Sequence, residues 1–407
     1  MNKVFNLGRA LRAVGDRRPF PVIPTVSVTW TLLLGVVLRV PSLLQLQSET
    51  LRRGWQHLLG LKGPISDDAL GYVLERYRLE DLRGVLVNVN RQLKANKQFE
   101  PARIGGRLVV ALDANEQFKS RCRCCPDCCQ RQVEITDGKG GTQAVTEFYH
   151  RQVYAHLRGP RLSVILDLEP IRPGEEEAQA ALRLLARMRR LYGVRFFDAV
   201  TVDAWYTKGP FIRAVQKLGW GVVVVLKQER FEVYQEATAL MKDQAPVQWE
   251  KAGRAVRLWE IKDLNFSEVK GAVRVVVAEE RWRQGVRVGG EHKLQDRTSH
   301  WRWLTTEELS TCPGEQIWQM GHQRWGIEND AFNELTRFYR LEHCPRHEPV
   351  AILARLLILV LGMNLFEVFA RVHGKLVRLG RTTLQEIARQ LDRALERWEE
   401  LEPLRSG

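Results

Sequence analysis

Three acidic residues, far apart in the sequence, stand where their carboxylates can act together. Asp113 ends the short apolar run 107–113, Asp203 follows a second apolar run at 197–202, and Glu328 lies in a helical segment. Three converging carboxylates offer the hard oxygen ligands that Mg²⁺ prefers. Two such cations about 4 Å apart can polarise a phosphodiester and stabilise its leaving oxygen. The pattern indicates metal-dependent phosphodiester chemistry, with the alternative that each aspartate is only a turn former or a helix cap.

A second constellation consists of five of the chain's seven cysteines, crowded between positions 122 and 129. Cys125 and Cys128 have the C-x₂-C spacing at which thiolates favour tetrahedral Zn²⁺. We expect His150, at the start of the next predicted strand, to be a third ligand, and Cys124 or Cys122 to complete the set. The alternative is a group of buried or free thiols without a metal. The crowding is not that of a disulfide framework.

Composition and charge narrow the class of protein. The 407 residues are 44% hydrophobic and 27% charged, which is typical of a folded chain with two or three domains. Lys and Arg outnumber Asp and Glu by 62 to 48, giving a net charge of +14. That balance favours polyanionic partners, nucleic acid first, and argues against an acidic ligand-binding protein. With reduced cysteines and no signal-peptide pattern, we expect a cytoplasmic protein without a membrane partner.

The elements that must position these residues follow from hydrophobic periodicity. Residues up to about 97 have apolar positions at helical spacing and predict a helical N-terminal domain. Short apolar runs then predict five strands, at 107–113, 148–157, 162–168, 197–202 and 221–226. Apolar positions at helical spacing predict helices at 175–192 and 211–218, between the third, fourth and fifth of these strands. The order strand, strand, strand, helix, strand, helix, strand is that of an RNase H-like mixed sheet. In such a sheet the first and fourth strands are neighbours, which would bring Asp113 and Asp203 together.

The remaining chain predicts a β-rich insertion and C-terminal helices. Between residues 228 and 320, alternating segments carry Trp301, Trp303 and the basic run 281–283, which predict either DNA contacts or the core of a sheet. A helix from about 323 to 337 then carries Glu328, and 351–371 is a very apolar helix. The predicted α/β organisation is a helical N-terminal domain at 1–100, a catalytic core at 101–227 with a Cys-rich hairpin at 114–147, the insertion at 228–320, core helices at 321–375, and an amphipathic helix at 376–407.

Several stretches resemble bacterial insertion-sequence DDE transposases. They include Val-Thr-Val-Asp203-Ala-Trp-Tyr-Thr, Arg324-Trp-Gly-Ile-Glu328-Asn and Tyr339-Arg-Leu-Glu-His-Cys-Pro-Arg-His, and the resemblance covers about residues 20–375. It implies that Asp113, Asp203 and Glu328 are a catalytic triad that uses Mg²⁺ or Mn²⁺. The implied enzyme cleaves DNA and transfers strands of an insertion sequence, and it binds double-stranded element ends and target DNA as a homodimer. In the resembling family a His often stands at the position of Cys124, which supports a ligand there.

The resemblance also includes a Y-x₂-R-x₃-E-x₆-K pattern around the glutamate. Arg324 matches it, and i, i+4 spacing on one predicted helix would set Arg324 beside Glu328 as a phosphate contact. Gly321 and Leu335 stand where the Tyr and the Lys are expected, so His322 and Arg337 are candidate substitutes. Two alternatives remain open at this point. They are a catalytically idle, transposase-derived DNA-binding protein and an RNase H-like nuclease without strand transfer.

Overall fold

The computed structural model describes residues 2–136, 140–160, 162–251, 253–267, 269–288, 291–370 and 382–401. The chain forms two compact units. The first contains Met1–Ala102, Ala114–Ala180 and Glu328–Gly407, and the second contains Arg103–Asp113 and Ala181–Ile327. Strand β1 (Val109–Ser120) therefore contributes residues to both units.

Short helices build the N-terminal part of the first unit, as the periodicity predicts. Ser66 shows why one of them starts where it does, because its hydroxyl accepts the N–H of Ala69 at 3.1 Å, while Asp67 and Asp68 fill the positive first turn. The helices are α1 (Asn2–Phe5), α2 (Leu7–Arg12), α3 (Thr25–Val37), α4 (Leu43–Thr50), α5 (Arg53–Leu59), α6 (Asp67–Leu74) and α7 (Leu79–Ala95).

The first unit also contains the antiparallel strands β2 (Cys129–Thr136), β3 (Thr142–Gly159) and β4 (Leu162–Ile171). The long strand β3 pairs with β2 through its first half and with β4 through its second half. Its N-terminal half and all of β2 were not predicted as strand. The reason is that β2 alternates buried or half-buried residues with exposed ones and is rich in Gln, Arg and Glu, so it lacks a continuous apolar run.

The C-terminal elements of the first unit begin with α12 (Asn333–Tyr339) and α13 (Pro349–Val368), followed by α14 (Leu384–Leu401). Among the described residues, α13 is the one helix long and apolar enough to cross a membrane, and 78% of its most apolar window is buried within the protein. It packs against α3, α7 and β4. Asn364 fixes it to β4 by accepting the N–H of Ile165 at 3.0 Å. Of the predicted C-terminal segment, residues 376–381 and 402–407 lie outside the described residues.

The second unit contains a sheet of parallel strands that the insertion extends. After α8 (Glu177–Tyr192), β1 pairs in parallel with β5 (Ala199–Val202), and β5 pairs in parallel with β6 (Gly221–Val225), which follows α9 (Gly209–Lys217). The insertion adds α10 (Glu232–Met241) and the strands β7 (Val247–Lys251), β8 (Arg254–Leu264), β9 (Val273–Val288) and β10 (Glu291–Thr305), followed by α11 (Gly314–Gln323). Strand β10 joins β6 antiparallel, so the insertion continues the sheet.

The strand order is β2-β3-β1-β5-β6-β10-β9-β8-β7, with β4 also paired to β3. Its central part, β4-β3-β1-β5-β6, places β1 and β5 side by side, as predicted for the first and fourth predicted strands. The α/β class, the RNase H-like mixed sheet, the helical N-terminal part and the β-rich insertion are therefore confirmed.

Candidate active site and metal centre

The pairing of β1 with β5 aligns two of the predicted carboxylates. Val109 lies opposite Ala199 and Ala111 opposite Thr201. Continued by two residues, the same register would set Asp113 level with Asp203 and on the same face of the sheet. Asp203 directly follows β5, as expected, whereas Asp113 does not end its strand, because β1 continues to Ser120. The two acids thus share an edge where one strand stops and its neighbour continues.

Asp203 also caps a short turn. Its Oδ1 accepts the backbone N–H of Trp205 at 2.8 Å and starts the 3₁₀ turn Ala204–Tyr206. Asp203 is therefore a cap, as the alternative interpretation of this residue predicts. It fixes the orientation of the carboxylate, which is half-buried and remains partly accessible to solvent.

Arg324 lies beside Asp113. Its Nη1 donates to Asp113 Oδ2 at 3.1 Å, and its guanidinium carbon lies 4.5 Å from the centre of the Trp325 ring. The side chain is only 6% exposed. This pair is not an exposed salt bridge on the surface of one helix, because it joins a helix end to a strand. A buried, charge-assisted hydrogen bond of this kind fixes both side chains.

The helix that carries Glu328 differs from the predicted continuous α-helix. Helix α11 ends at Gln323, and a π-helix runs from Ile327 to Phe332 before α12 begins. Arg324 and Glu328 therefore do not share one regular α-helix, and the i, i+4 argument for a common face does not hold there. Short π-helical segments occur frequently at functional sites. Glu328 is half-buried, opens the last segment of the first unit and stands four residues after Arg324 in the sequence.

The two departures from the expected motif have physical causes. A Cβ built on Gly321 would collide with the indole of Trp303, which is fully buried in the core of the second unit. A tyrosine has no room at that position. Leu335, at the expected Lys position, is fully buried, whereas Arg337, two residues on, is exposed. Position 321 therefore has space for glycine only, and position 335 is part of the core.

His322 belongs to a buried network. Its Nε2 lies 2.5 Å from Oε1 of Glu280, which is fully buried on β9 and also accepts from Trp318 Nε1 at 2.8 Å and Arg254 Nη1 at 2.9 Å. Burial acts to raise the pKa of Glu280, but the hydrogen bond and charge of His322, together with these other donors, lower it below its usual value. The network ties α11 to the insertion.

The insertion combines core and surface roles. Trp303 is fully buried and belongs to the core with Val109, Val223 and Ile317, so the sheet-core alternative is correct for this residue. The basic run 281–283 has exposed arginines, with side-chain exposures of 65% and 74% for its first and last residues.

The cysteine cluster meets two histidines. Cys125 and Cys128 lie in the loop between β1 and β2, His150 lies on β3, and His347 lies between α12 and α13. One ligand atom from each lies within 4.8 Å of the other three. Cys124 is exposed and is not a member of this group; His347 stands in its place. His347 was missed because it is 219 residues from Cys128, although it ends the Cys-Pro-Arg-His stretch that carries part of the resemblance.

The distances within this cluster suit a tetrahedral metal. The two Sγ atoms are 3.7 Å apart, and two thiolates with bonds of about 2.3 Å to one Zn²⁺ would be about 3.8 Å apart. Nε2 of His150 lies 3.2 Å from each sulfur, and Nε2 of His347 lies 3.1 Å from Cys128 Sγ. These four side chains are chemically and geometrically able to hold a zinc ion.

Without a metal ion, burial favours the neutral forms of all four side chains. Burial raises the pKa of Cys125 to about 12 and raises that of Cys128. Burial and the neighbouring His347 lower the pKa of His150 to about 4, and burial also lowers the pKa of His347. Both imidazoles are therefore neutral and offer lone pairs, while two adjacent thiolates need a cation to form.

Comparison with known proteins identifies the family of the chain. The family model described as "Transposase DDE domain" matches residues 145–365, more than half of the chain. Among solved structures, the chain is similar to a piggyBac transposase in a synaptic complex with hairpin DNA, with 11% sequence identity and a TM-score of 0.45 over 99% of this chain and 81% of that one. No curated protein matches it. The chain belongs to the DDE transposase family and is a DNA transposase.

Proposed function

We propose that this transposase cleaves DNA strands at the ends of an insertion sequence and transfers the freed 3′ ends to target DNA, at a site formed by Asp113, Asp203, Glu328 and Arg324. The observation that supports the proposal is the parallel pairing of β1 with β5, whose register would set Asp113 level with Asp203 if it continued by two residues, together with the Arg324 contact on Asp113. Oxygen donors on a partly accessible edge fit a hard divalent cation. When bound, Mg²⁺ or Mn²⁺ would polarise the scissile phosphate and stabilise charge on the attacking and leaving oxygens.

The chain's own side chains orient the reaction. The cap on Asp203 and the bond from Arg324 to Asp113 hold both carboxylates in one orientation before DNA arrives, which lowers the cost of organising the site during the reaction. The guanidinium next to Asp113 is a planar donor that suits the oxygens of a phosphate. Glu328 is the third proposed carboxylate because it stands at the glutamate position of the motif that resembles the family.

The test replaces one acid at a time. Asp113→Asn and Asp203→Asn should abolish cleavage of a plasmid carrying the element ends, with DNA affinity largely retained, because these groups act on the transition state more than on binding. Asp296→Asn, at an acid 86% exposed on β10, is the matched control and should cut normally. Mg²⁺-dependent cutting by either active-site variant would refute the assignment. Cutting without joining by the unmodified protein would favour the nuclease alternative, and no cutting at all would favour the idle DNA-binding protein.

The Cys125, Cys128, His150 and His347 cluster is proposed as a structural zinc site. It would fasten the loop between β1 and β2 to the segment before α13, both within the first unit. All four ligands come from the protein, which is typical of structural rather than catalytic zinc. The thiolates need a reducing compartment, so the proposal includes action in the cytoplasm.

The proposed partner is double-stranded DNA, at the element ends and at the target. A net charge of +14 supports it, because each phosphate neutralised by Lys or Arg releases counterions. A homodimer on DNA is part of the proposal, since two element ends must be cut.

A further inference from the structure

An exposed tryptophan stands next to one of the proposed catalytic acids. The side chain of Trp205 is 64% exposed, whereas the next residue, Tyr206, is fully buried and packs against Phe211 with ring centres 4.9 Å apart. Thr207 is 3% exposed. Tryptophan is usually largely buried in a folded chain, as Trp220 of the same unit is. The exposure of Trp205 is therefore unusual for its type and for its surroundings.

The turn that presents Trp205 is held on both sides. Its own N–H donates to Asp203 Oδ1 at 2.8 Å, and the carbonyl of Ala204 accepts from Gln228 Nε2 at 2.8 Å. The hydroxyl of Thr207 donates to the carbonyl of the last residue of β6 at 2.9 Å. The backbone that presents the indole to solvent is thus anchored, and the bond from the Trp205 N–H also orients the carboxylate of Asp203.

A cation lies beside the exposed ring. Nζ of Lys208 is 5.7 Å from the centre of the Trp205 ring. An aromatic face next to a Lys is the combination with which proteins hold unpaired nucleotides, because the base stacks on the ring and the phosphate meets the cation. Two residues of chain span at most about 7 Å. A DNA strand with a phosphate at Asp203 would therefore have a neighbouring base within reach of the indole.

We propose that Trp205 stacks on a nucleobase adjoining the phosphate at Asp203 and thereby positions the strand for cleavage, with Lys208 contacting the backbone of the same strand. The inference deepens the proposed function and rests on it, because it requires DNA at Asp203. It assigns Trp205 a role as a positioning residue that touches the substrate. The competing explanation is that a single exposed apolar side chain on a surface has no function.

The experiment uses a duplex of the element end with 2-aminopurine at the bases that flank the cleavage position, and Ca²⁺ in place of Mg²⁺ so that the strand stays intact. Stacking on an aromatic ring quenches this base. We expect quenching by the unmodified protein, its loss in Trp205→Ala, and a reduction of binding or cleavage by about 5- to 150-fold. Trp205→Phe should retain most of both signals, since it keeps a π face. Phe20→Ala, at an aromatic residue 91% exposed in the first unit, is the control and should behave normally.

Two results would overturn the inference. One is normal quenching and cleavage by Trp205→Ala, and the other is a Phe variant as defective as the Ala variant. Asp203→Asn separates this inference from the proposed function. If it stops cleavage but keeps the quenching, both stand; if it still cuts, the triad fails, whatever the base analogue reports.

Discussion

Replacing Arg324 with Lys separates a planar phosphate-binding group from a plain positive charge. The guanidinium is 94% buried, donates to Asp113 Oδ2 at 3.1 Å and lies over Trp325 at 4.5 Å. Lysine keeps the charge and can still approach Asp113, but it loses the fork and the planar stack. One hydrogen bond involving charged, buried partners contributes about 1.5 to 3 kcal/mol. The bond that lysine loses is the additional one of the guanidinium fork, to a phosphate oxygen. If that bond is made in the transition state, its loss slows strand transfer by about 10- to 150-fold.

The assay is single-turnover strand transfer with a pre-cut element end, which isolates the joining step from end recognition. Thermal unfolding of the same sample checks that the fold is retained. Arg389→Lys is the matched control, because Arg389 on α14 makes an exposed pair with Glu386 at 3.3 Å, and such pairs contribute at most about 1 kcal/mol. We expect this control to transfer strands at the normal rate.

A normal joining rate in Arg324→Lys, with an unchanged unfolding temperature, would refute the reasoning. It would mean that Arg324 only balances the charge of Asp113, a task that lysine also performs.

Further predictions concern the remaining carboxylate, the cysteine cluster, the core and the pH dependence. Glu328→Ala should bind DNA but not cut it; cutting in Mg²⁺ would contradict the triad. Purified protein should contain about one Zn²⁺ per chain by elemental analysis, lost together with stability in Cys128→Ser and kept in Cys124→Ser; zinc-free protein prepared without chelators would contradict this. Gly321→Tyr, which restores the family motif, should lower the free energy of unfolding by about 1 to 3 kcal/mol or more through collision with Trp303; an unchanged unfolding midpoint would refute the clash. Burial, with a smaller effect of Arg158, lowers the pKa of His156 to about 3. The unfolded chain therefore binds more protons than the folded one below pH 6.5, and the free energy of unfolding should fall by up to about 1.4 kcal/mol for each pH unit between 6.5 and 3. If the pH profile of His156→Gln is no flatter than that of the unmodified protein, His156 is not the cause of this pH dependence.

Sequence patterns predicted the elements that a continuous apolar run or a local capping residue marks. The valines at 222–225 are fully or nearly fully buried, so a continuous apolar run marked β6. Ser66 with two acids marked the start of α6. The neighbouring positions of β1 and β5 followed from the order of the elements along the chain. These features depend on local periodicity and on chain connectivity, both of which a sequence contains.

Other features depend on contacts between distant residues. Nothing near His347 identifies it as the partner of Cys128, because only the folded chain brings the two together. The absence of a tyrosine at position 321 is explained by Trp303, which occupies the space that a side chain there would need. The π-helix likewise has no pattern of its own, since local sequence favours ordinary helix there and tertiary packing decides the outcome.

The contact between Cys128 and His347 has a consequence for synthesis of the chain. Closing a loop of 219 residues costs about 5 kcal/mol in its length-dependent part, against about 1 kcal/mol for the three-residue step from Cys125 to Cys128. The ribosome must also translate 219 residues beyond Cys128 before His347 is made. A nascent chain that has not yet reached His347 therefore offers a metal three of the four side chains, and the cluster can close only after that residue has emerged.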